Sequence, residues 1–300
     1  MAIKNEHSLG RRMRKGAVSY AMLAPFMIFF ILFTVLPVLA AIGLSFTNFN
    51  MLETPEFIGL QNYQRLFVGD TVFITAIKNT LIFAVICGPV SYLFAFFMAW
   101  LINEMPKQLR VLLTVIFYAP SVSGNVYFIW TYLFSGDSYG LVNGWLMQLG
   151  LIQQPVLWLT NPTYNLTIII IVQLWLSLGV SFLSFIAGLQ GIDPSQYEAG
   201  AIDGIRNRFQ ELWYITIPNM KSMMLFGAVM QIATIFGVGD ITQNLGGGYN
   251  SVNYSTLTIL NHITDYGTVR YEMGYACCIA VFLFVLIVLF KKLVFRLLKW

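Results

Sequence analysis

Residues 165–190 read NLTIIIIVQLWLSLGVSFLSFIAGLQ and contain no Asp, Glu, Lys or Arg. A hydrocarbon layer of about 30 Å needs about 20 residues of helix at roughly 1.5 Å per residue, so this run is long enough to cross one. Its apolar character is continuous rather than alternating. That selects a helix, whose backbone groups are satisfied within the segment, over a barrel strand. Working outward, five more runs of the same kind lie near 20–46, 79–103, 111–134, 222–238 and 274–290, and none of them contains a charged residue. Six spans joined by more polar segments predict an all-α membrane protein. The composition agrees: 58% of the 300 residues are hydrophobic and 10% charged, against about 25% charged in an ordinary soluble domain.

Basic residues are retained on the cytoplasmic side during insertion. Lys4, Arg11, Arg12, Arg14 and Lys15 precede the first span, Lys107 and Arg110 follow the second, Arg206, Arg208 and Lys221 follow the fourth, and Lys291, Lys292, Arg296 and Lys299 lie at the carboxyl end of the sixth. The alternate loops hold only Arg65, Lys78 and Arg270. This asymmetry predicts that both termini are cytoplasmic. It also accounts for the net charge of +4, so nucleic-acid binding is not implied. The first run is far longer than the roughly 7–15 apolar residues of a signal peptide and is read as a mature span.

Cys87, Cys277 and Cys278 all fall in apolar runs, which suits small buried side chains better than disulfides. His7 and His262 are too few and too far apart for a metal cluster, and no metal site is predicted. Of the outward segments, 47–78 is too polar to span and reads as a lid or contact surface. In 135–164 the stretch 141–151 suits a short interfacial helix. The segment 240–271, with Gly246, Gly247 and Gly248, reads either as a plain connection or as a surface for a soluble partner.

Immediately after the opening stretch come residues 191–221, GIDPSQYEAGAIDGIRNRFQELWYITIPNMK. Ser195 and Glu198 have capping-box spacing, Pro194 suits a helix start, and Gly204 suits the left-handed residue that ends a helix. A short helix over about 194–203 follows, with Tyr197 and Ala201 one turn apart and the small residues Ala199 and Gly200 open to close approach. After Gly204, residues 206–214 can form a second short helix with Phe209, Leu212 and Trp213 on its apolar side, before Pro218 opens the fifth span. Two exposed short helices could simply lie in the headgroup layer, with Trp213 and Tyr214 as anchors.

EAGAIDG, ten intervening residues and ITIP resemble the EAA loop of permease subunits in binding-protein-dependent, ATP-driven importers. The agreement rests on Glu198, Ala199, Gly204, Ile215 and Pro218. Gly200 stands where that family has Ala, and the gap from Gly204 to Ile215 is one residue longer than the family pattern. FIGLQNYQRLF at 57–67, KNTLIF at 78–83 and YEMGYA at 271–276 resemble the sugar-permease branch, including maltose-type and glycerol-phosphate-type subunits. The resemblance implies a type I importer fold, a cytoplasmic tail at 1–19, a single permease domain at 20–298 and a coupling loop at 191–221. In it, Tyr197, Glu198, Ala199, Gly200, Ala201, Asp203, Gly204, Phe209, Ile215 and Pro218 would contact the ATPase. It further implies a second homologous permease subunit, two ATPase copies that hold ATP and Mg, an extracytoplasmic solute-binding protein, and a multi-pass position in a bacterial plasma (inner) membrane surrounded by lipid.

The chain lacks the GxxxxGK[ST] loop that cradles nucleotide phosphates, so energy and cofactor belong to a partner and no catalytic residue is assigned. Charge-free spans disfavour proton or sodium coupling, hence a secondary transporter, and favour a neutral, hydroxyl-rich solute. No Ser/His pair, carboxylate pair or HExxH lies at span depth, which disfavours an intramembrane enzyme. Candidate solute-pathway residues are Gln173, Ser177, Ser181 and Ser184 on the fourth span, Gln231 and Thr234 on the fifth, and Asp240 at its outer end. Tyr118, Ser121, Ser123 and Asn125 around Pro120 join them. The alternative for each is an interhelical hydrogen bond worth roughly 0.6 kcal/mol. Trp175 could stack on a sugar or simply pack.

Overall fold

The computed structural model describes residues 17–124 and 126–297. Asn125, residues 1–16 of the predicted tail, with His7, and residues 298–300 lie outside the described residues. The first span, α1, is Val18–Leu44, with a π-helical turn at Ile31–Val35 just before Pro37. It is followed by α2 (Thr71–Asn103), α3 (Lys107–Val122), α4 (Tyr127–Leu133), α5 (Leu141–Gln148), α6 (Asn165–Leu176) and α7 (Val180–Gln190). Next come α8 (Pro194–Ile202) and α9 (Arg208–Glu211, continued by Leu212–Thr216 and Ile217–Asn219). Then follow α10 (Lys221–Phe236), α11 (Gly239–Gly246), α12 (Ile259–Thr264) and α13 (Met273–Leu297). Among the described residues the sole β pairing is an isolated bridge, Thr47 with Phe57. Five helices or helix pairs are long and apolar enough to cross a membrane, and the bent pair α3–α4 makes a sixth.

Apolar helices lie where the sequence reading puts its spans, with differences in their limits and continuity. The second begins at Thr71 rather than 79, because Asp70 caps it by accepting a hydrogen bond from the Phe73 amide at 2.9 Å. The third is interrupted at the polar residues around Pro120, as their sequence suggests: α3 and α4 meet at 86°, after Pro120 has removed one backbone donor and Ser123 has turned extended. The fifth runs on past 238 through α11, so Asp240 sits on a span helix, against the expectation that every span is free of charge. Lys78 likewise falls inside α2. The fourth span is itself interrupted at Ser177–Gly179, where the Ser177 hydroxyl bonds back to the Leu174 carbonyl.

Two apolar clusters hold the bundle. Toward the end of the bundle that carries Asp70, Phe73, Phe83, Ile169, Val172, Ile259 and Ile279 pack from α2, α6, α12 and α13, joined by Leu257 from the segment before α12. Toward the other end, Ala95, Ala99, Phe182, Phe185 and Met220 join α2 to α7 and α10, with the Phe185 ring edge-on to Tyr92 and Phe96. By contrast α1 buries none of its most apolar window within this chain. Cys87 and Cys278 are buried and Cys277 is half-buried, all three as free thiols.

The segment 240–271 is neither a plain loop nor mainly a contact surface, because much of it is buried. Asn261 closes a capping box with Thr258, accepts from the Thr242 hydroxyl at 2.6 Å and donates to the Gly239 carbonyl at 2.9 Å. Asn79 of α2 donates to the carbonyls of Tyr254 and Leu257. Irregular backbone can be buried only where side chains satisfy it in this way. The segment 47–78 is pinned to the same end. The Asp70 carboxylate accepts from Tyr275 Oη at 2.7 Å and lies 2.8 Å from His262 Nε2, and Arg65 pairs with Glu272 while lying over the Tyr275 ring. Burial would raise the Asp70 carboxyl, but the hydrogen bonds to His262, Tyr275 and the Phe73 amide outweigh it and hold the pKa at about 2. Of the stretch 141–151, residues Leu141–Gln148 are helical, as α5. Its buried Asn143 accepts from Trp158 Nε1 at 2.8 Å and donates to the Ser135 carbonyl at 3.0 Å.

Candidate functional site

Residues 191–221 fold as a two-helix unit, and local chemistry explains its shape. The amino-terminal cap of α8 is Asp193, whose carboxylate accepts from the Ser195 amide at 3.0 Å, with Pro194 in the first turn. The predicted Ser195–Glu198 box is therefore corrected: the chain turns two residues earlier, and Asp193 takes the capping role. Ser195 also holds the Asp193 carboxyl below the ordinary carboxylate range. The predicted end is observed. Gly204 has φ +95°, the Ile205 amide donates to the Gly200 carbonyl at 2.9 Å and the Gly204 amide to Ala201 at 3.4 Å, which is a Schellman closure.

The helix lies across α9. Tyr197 Oη is 3.0 Å from Thr216 Oγ1, and Asn219 Nδ2 donates to Gln196 Oε1 at 2.6 Å and to the Ile215 carbonyl at 2.8 Å. Gly200 is buried, and a Cβ there would sit 2.5 Å from Ile215 Cδ1. This corrects the reading of Gly200 as an open surface. Gly200 and Ile215 form the internal seam of the unit, and Tyr197 is likewise turned toward it. The face left open carries Glu198, Ala199, Ala201, Asp203 and Ile202. Ile202, 87% exposed, is not singled out by the motif; an isoleucine just before a helix-ending Asp-Gly is the signal that marks it.

The unit is also tied to a span. The Phe209 ring lies 5.7 Å from that of Trp100 near the end of α2, and Arg208 reaches Glu104 at 3.3 Å and Glu211 at 2.7 Å. Pro218 sits in the last turn of α9 and the fifth span starts only at Lys221, so Pro218 does not open that span as predicted. Displacement of α8 would thus pass through α9 into α2 and α10.

A second site lies where the helices break. A pocket of about 170 Å³ is walled by the α3–α4 junction, α6 and the α10–α11 junction, and it brings together Ser121, Ser123, Tyr127, Gln173, Thr234 and Asp240. Five predicted pathway residues, Ser121, Ser123, Gln173, Thr234 and Asp240, therefore converge. Ser177, Ser181, Gln231 and Tyr118 do not line it. Ser181 donates to Gln231 Oε1 at 3.1 Å between α7 and α10, a buried interhelical bond. Trp175 packs against Trp130 at 5.2 Å. Tyr127 is the wall residue the sequence does not suggest.

Six apolar spans, a folded two-helix unit braced against them at one end and a polar notch between broken helices define a solute permease subunit rather than a membrane enzyme. The chain belongs to the family of binding-protein-dependent transport system inner membrane components, which it matches over residues 91–299. It is similar to the probable ABC transporter permease protein YesP of Bacillus subtilis, at 33% identity over 95% of this chain and 92% of that protein. It is also similar to the lactose transport system permease protein LacF of Rhizobium radiobacter, at 32% identity over 80% of each. A solved bacterial alginate ABC transporter, in complex with an alginate pentasaccharide-bound periplasmic protein, contains a chain 25% identical with a TM-score of 0.78, covering 97% of this chain and 98% of that one. This chain is accordingly an inner-membrane transport component of the sugar-permease branch, and ATP hydrolysis is the work of a separate ATPase.

Proposed function

We propose that this chain forms half of the translocation path of an importer for a neutral mono- or oligosaccharide, moving it by alternating access. The α8–α9 unit faces the cytoplasm, with both termini, and seats Glu198, Ala199, Ala201, Ile202 and Asp203 in a groove of an ATPase subunit, one of two copies. An extracytoplasmic binding protein delivers solute to the opposite end. The single observation that carries the reading is the α8–α9 unit: a closed short helix with one open face, braced by Tyr197, Gly200 and Ile215 and linked by Phe209 and Arg208 to α2. A second homologous permease subunit is supported by α1, whose apolar surface this chain leaves uncovered. Carbohydrate is supported by the relatives named for lactose, arabinooligosaccharides and trehalose/maltose.

The test is co-purification in mild detergent with ATPase assay, comparing the native chain with a Glu198→Ala/Gly204→Val double variant. Recovery of a second membrane subunit and an ATPase, lost or uncoupled in the variant, is the expected result. A lone, ATPase-free chain that still conducts solute in vesicles overturns it.

A further inference from the structure

A groove of about 340 Å³, separate from the notch, lies between α2, α10 and α13. Its walls include Val85, Pro89, Ile232, Phe290, Val294 and Leu297, and every lining side chain is apolar except those of Tyr92 and Gln231. The Tyr92 hydroxyl is spent on the Met224 carbonyl at 3.1 Å. Gln231 is only half satisfied. It is 3% exposed and its Oε1 accepts from Ser181, but its Nε2 has no hydrogen-bond partner among the described residues. An amide donor buried among apolar groups costs free energy until an acceptor reaches it.

Helix register gives the depth of that donor. The rings of Phe236 on α10 and Phe290 on α13 meet at 5.2 Å. As consecutive spans, α10 and α13 run in opposite directions, so Gln231 lies about 7 Å from that contact toward the carboxyl end of α13, level with Phe295. Lys291 and Arg296 are exposed around the same level, and Lys291 sits 5.5 Å over the Phe295 ring. With about 3.6 residues per turn, they fall on either side of the stripe Phe290, Leu293, Val294 and Leu297 that lines the groove. We propose that the groove binds one anionic phospholipid from the leaflet at the carboxyl end of α13. An acyl chain runs along the apolar walls toward Phe236, a glycerol ester carbonyl accepts from Gln231 Nε2, and the phosphate sits between Lys291 and Arg296. Such a lipid brings an acceptor and a negative charge to the level where a donor and two cations stand. An apolar span of another subunit brings neither, because its carbonyls are satisfied within its own helix. Each Lys or Arg near an anionic surface strengthens binding roughly fivefold. The volume of the groove falls at the lower end of the roughly 300–1,000 Å³ of ligand sites, enough for part of one lipid.

The test labels the complete transporter in nanodiscs with phosphatidylglycerol or phosphatidylcholine carrying the same photoactivatable acyl chain, and maps the labelled peptides by mass spectrometry. Native protein should label on α2, α10 and α13 and favour phosphatidylglycerol at least tenfold. Lys291→Gln/Arg296→Gln should cut that preference at least fivefold, whereas Lys107→Gln, at the start of α3, should leave it. Gln231→Met should weaken labelling by both lipids roughly fivefold and keep the preference. Val294→Trp, which fills the groove, should abolish labelling there. Equal labelling of native protein by the two lipids, label confined to other spans, or an unchanged preference in Lys291→Gln/Arg296→Gln overturns the proposal. So does cross-linking of Val294→Cys to another subunit, which would seat a protein span in the groove. The comparison of the two lipids on native protein stands even where a variant fails to assemble.

Discussion

Replacing Gly204 tests the link between loop geometry and coupling. Gly204 holds φ +95°, and a methyl group added there would meet nothing within 4 Å, so the cost of a side chain is conformational and not a clash. An L residue in the left-handed region loses roughly 1–2 kcal/mol, more if β-branched and less for Asn. The two closing bonds from Ile205 to Gly200 and from Gly204 to Ala201 depend on that backbone conformation. A penalty of about 1–2 kcal/mol lowers the population of the closed end about 5- to 30-fold relative to open alternatives. Because α8 is braced on α9, which touches the end of α2 and leads into α10, the loss should appear in transmission. In proteoliposomes the ratio of solute transported to ATP hydrolysed should fall in the order Asn, Ala, Val at position 204, while the variants insert and assemble normally. A Gly204→Val transporter with the native ratio would refute the reasoning.

Asp70→Asn should destabilise the chain by on the order of 2 kcal/mol at neutral pH, since it removes a carboxylate held at about 2 against an ordinary 3.8. A depressed pKa gives stability that is present above the ordinary value and lost as pH falls toward about 2, so native and variant unfolding temperatures in detergent should converge there. A gap that persists at the acid end contradicts the assignment. Gly200→Ala should be mild, below about 1.5 kcal/mol, because the added methyl meets the far ends of Ile215, 2.5 Å away, and Ile205, 3.1 Å away, and both side chains can turn. Gly200→Leu should disrupt the α8–α9 seam and lower ATPase co-purification. Ser181→Ala and Gln231→Met should each change stability by about 0.6 kcal/mol and leave the solute KM unchanged, because their hydrogen bond lies between α7 and α10 and outside the notch; a KM shift would return them to the pathway.

The class of this protein is legible from the residues alone. Runs without charge longer than a bilayer is thick leave few alternatives, and a helix-starting Pro194 followed by a helix-ending Gly204 makes a local conformation almost independent of the fold. The α8 helix and its Gly204 closure can be read for that reason, whereas the cap falls on Asp193 rather than Ser195 because two good capping residues lie two positions apart. The breaks at Ser123 and Ser177–Gly179 are less visible, since Pro, Ser and Gly are tolerated inside membrane helices and hydropathy averages over them. The burial of 240–271 is not visible at all: it depends on Asn79 and Thr80 of α2 supplying hydrogen bonds from about 175 to 179 positions away in the chain.

By itself the sequence determined the apolar spans and the motif that ends α8, because these follow from local apolar length and backbone preference. Only the tertiary structure decided which of the candidate pathway residues meet. Gln173, Thr234 and Asp240 share a pocket with Tyr127, while Ser181 bonds to Gln231, because the crossing of bent helices, and not residue type, sets which polar groups face the same space.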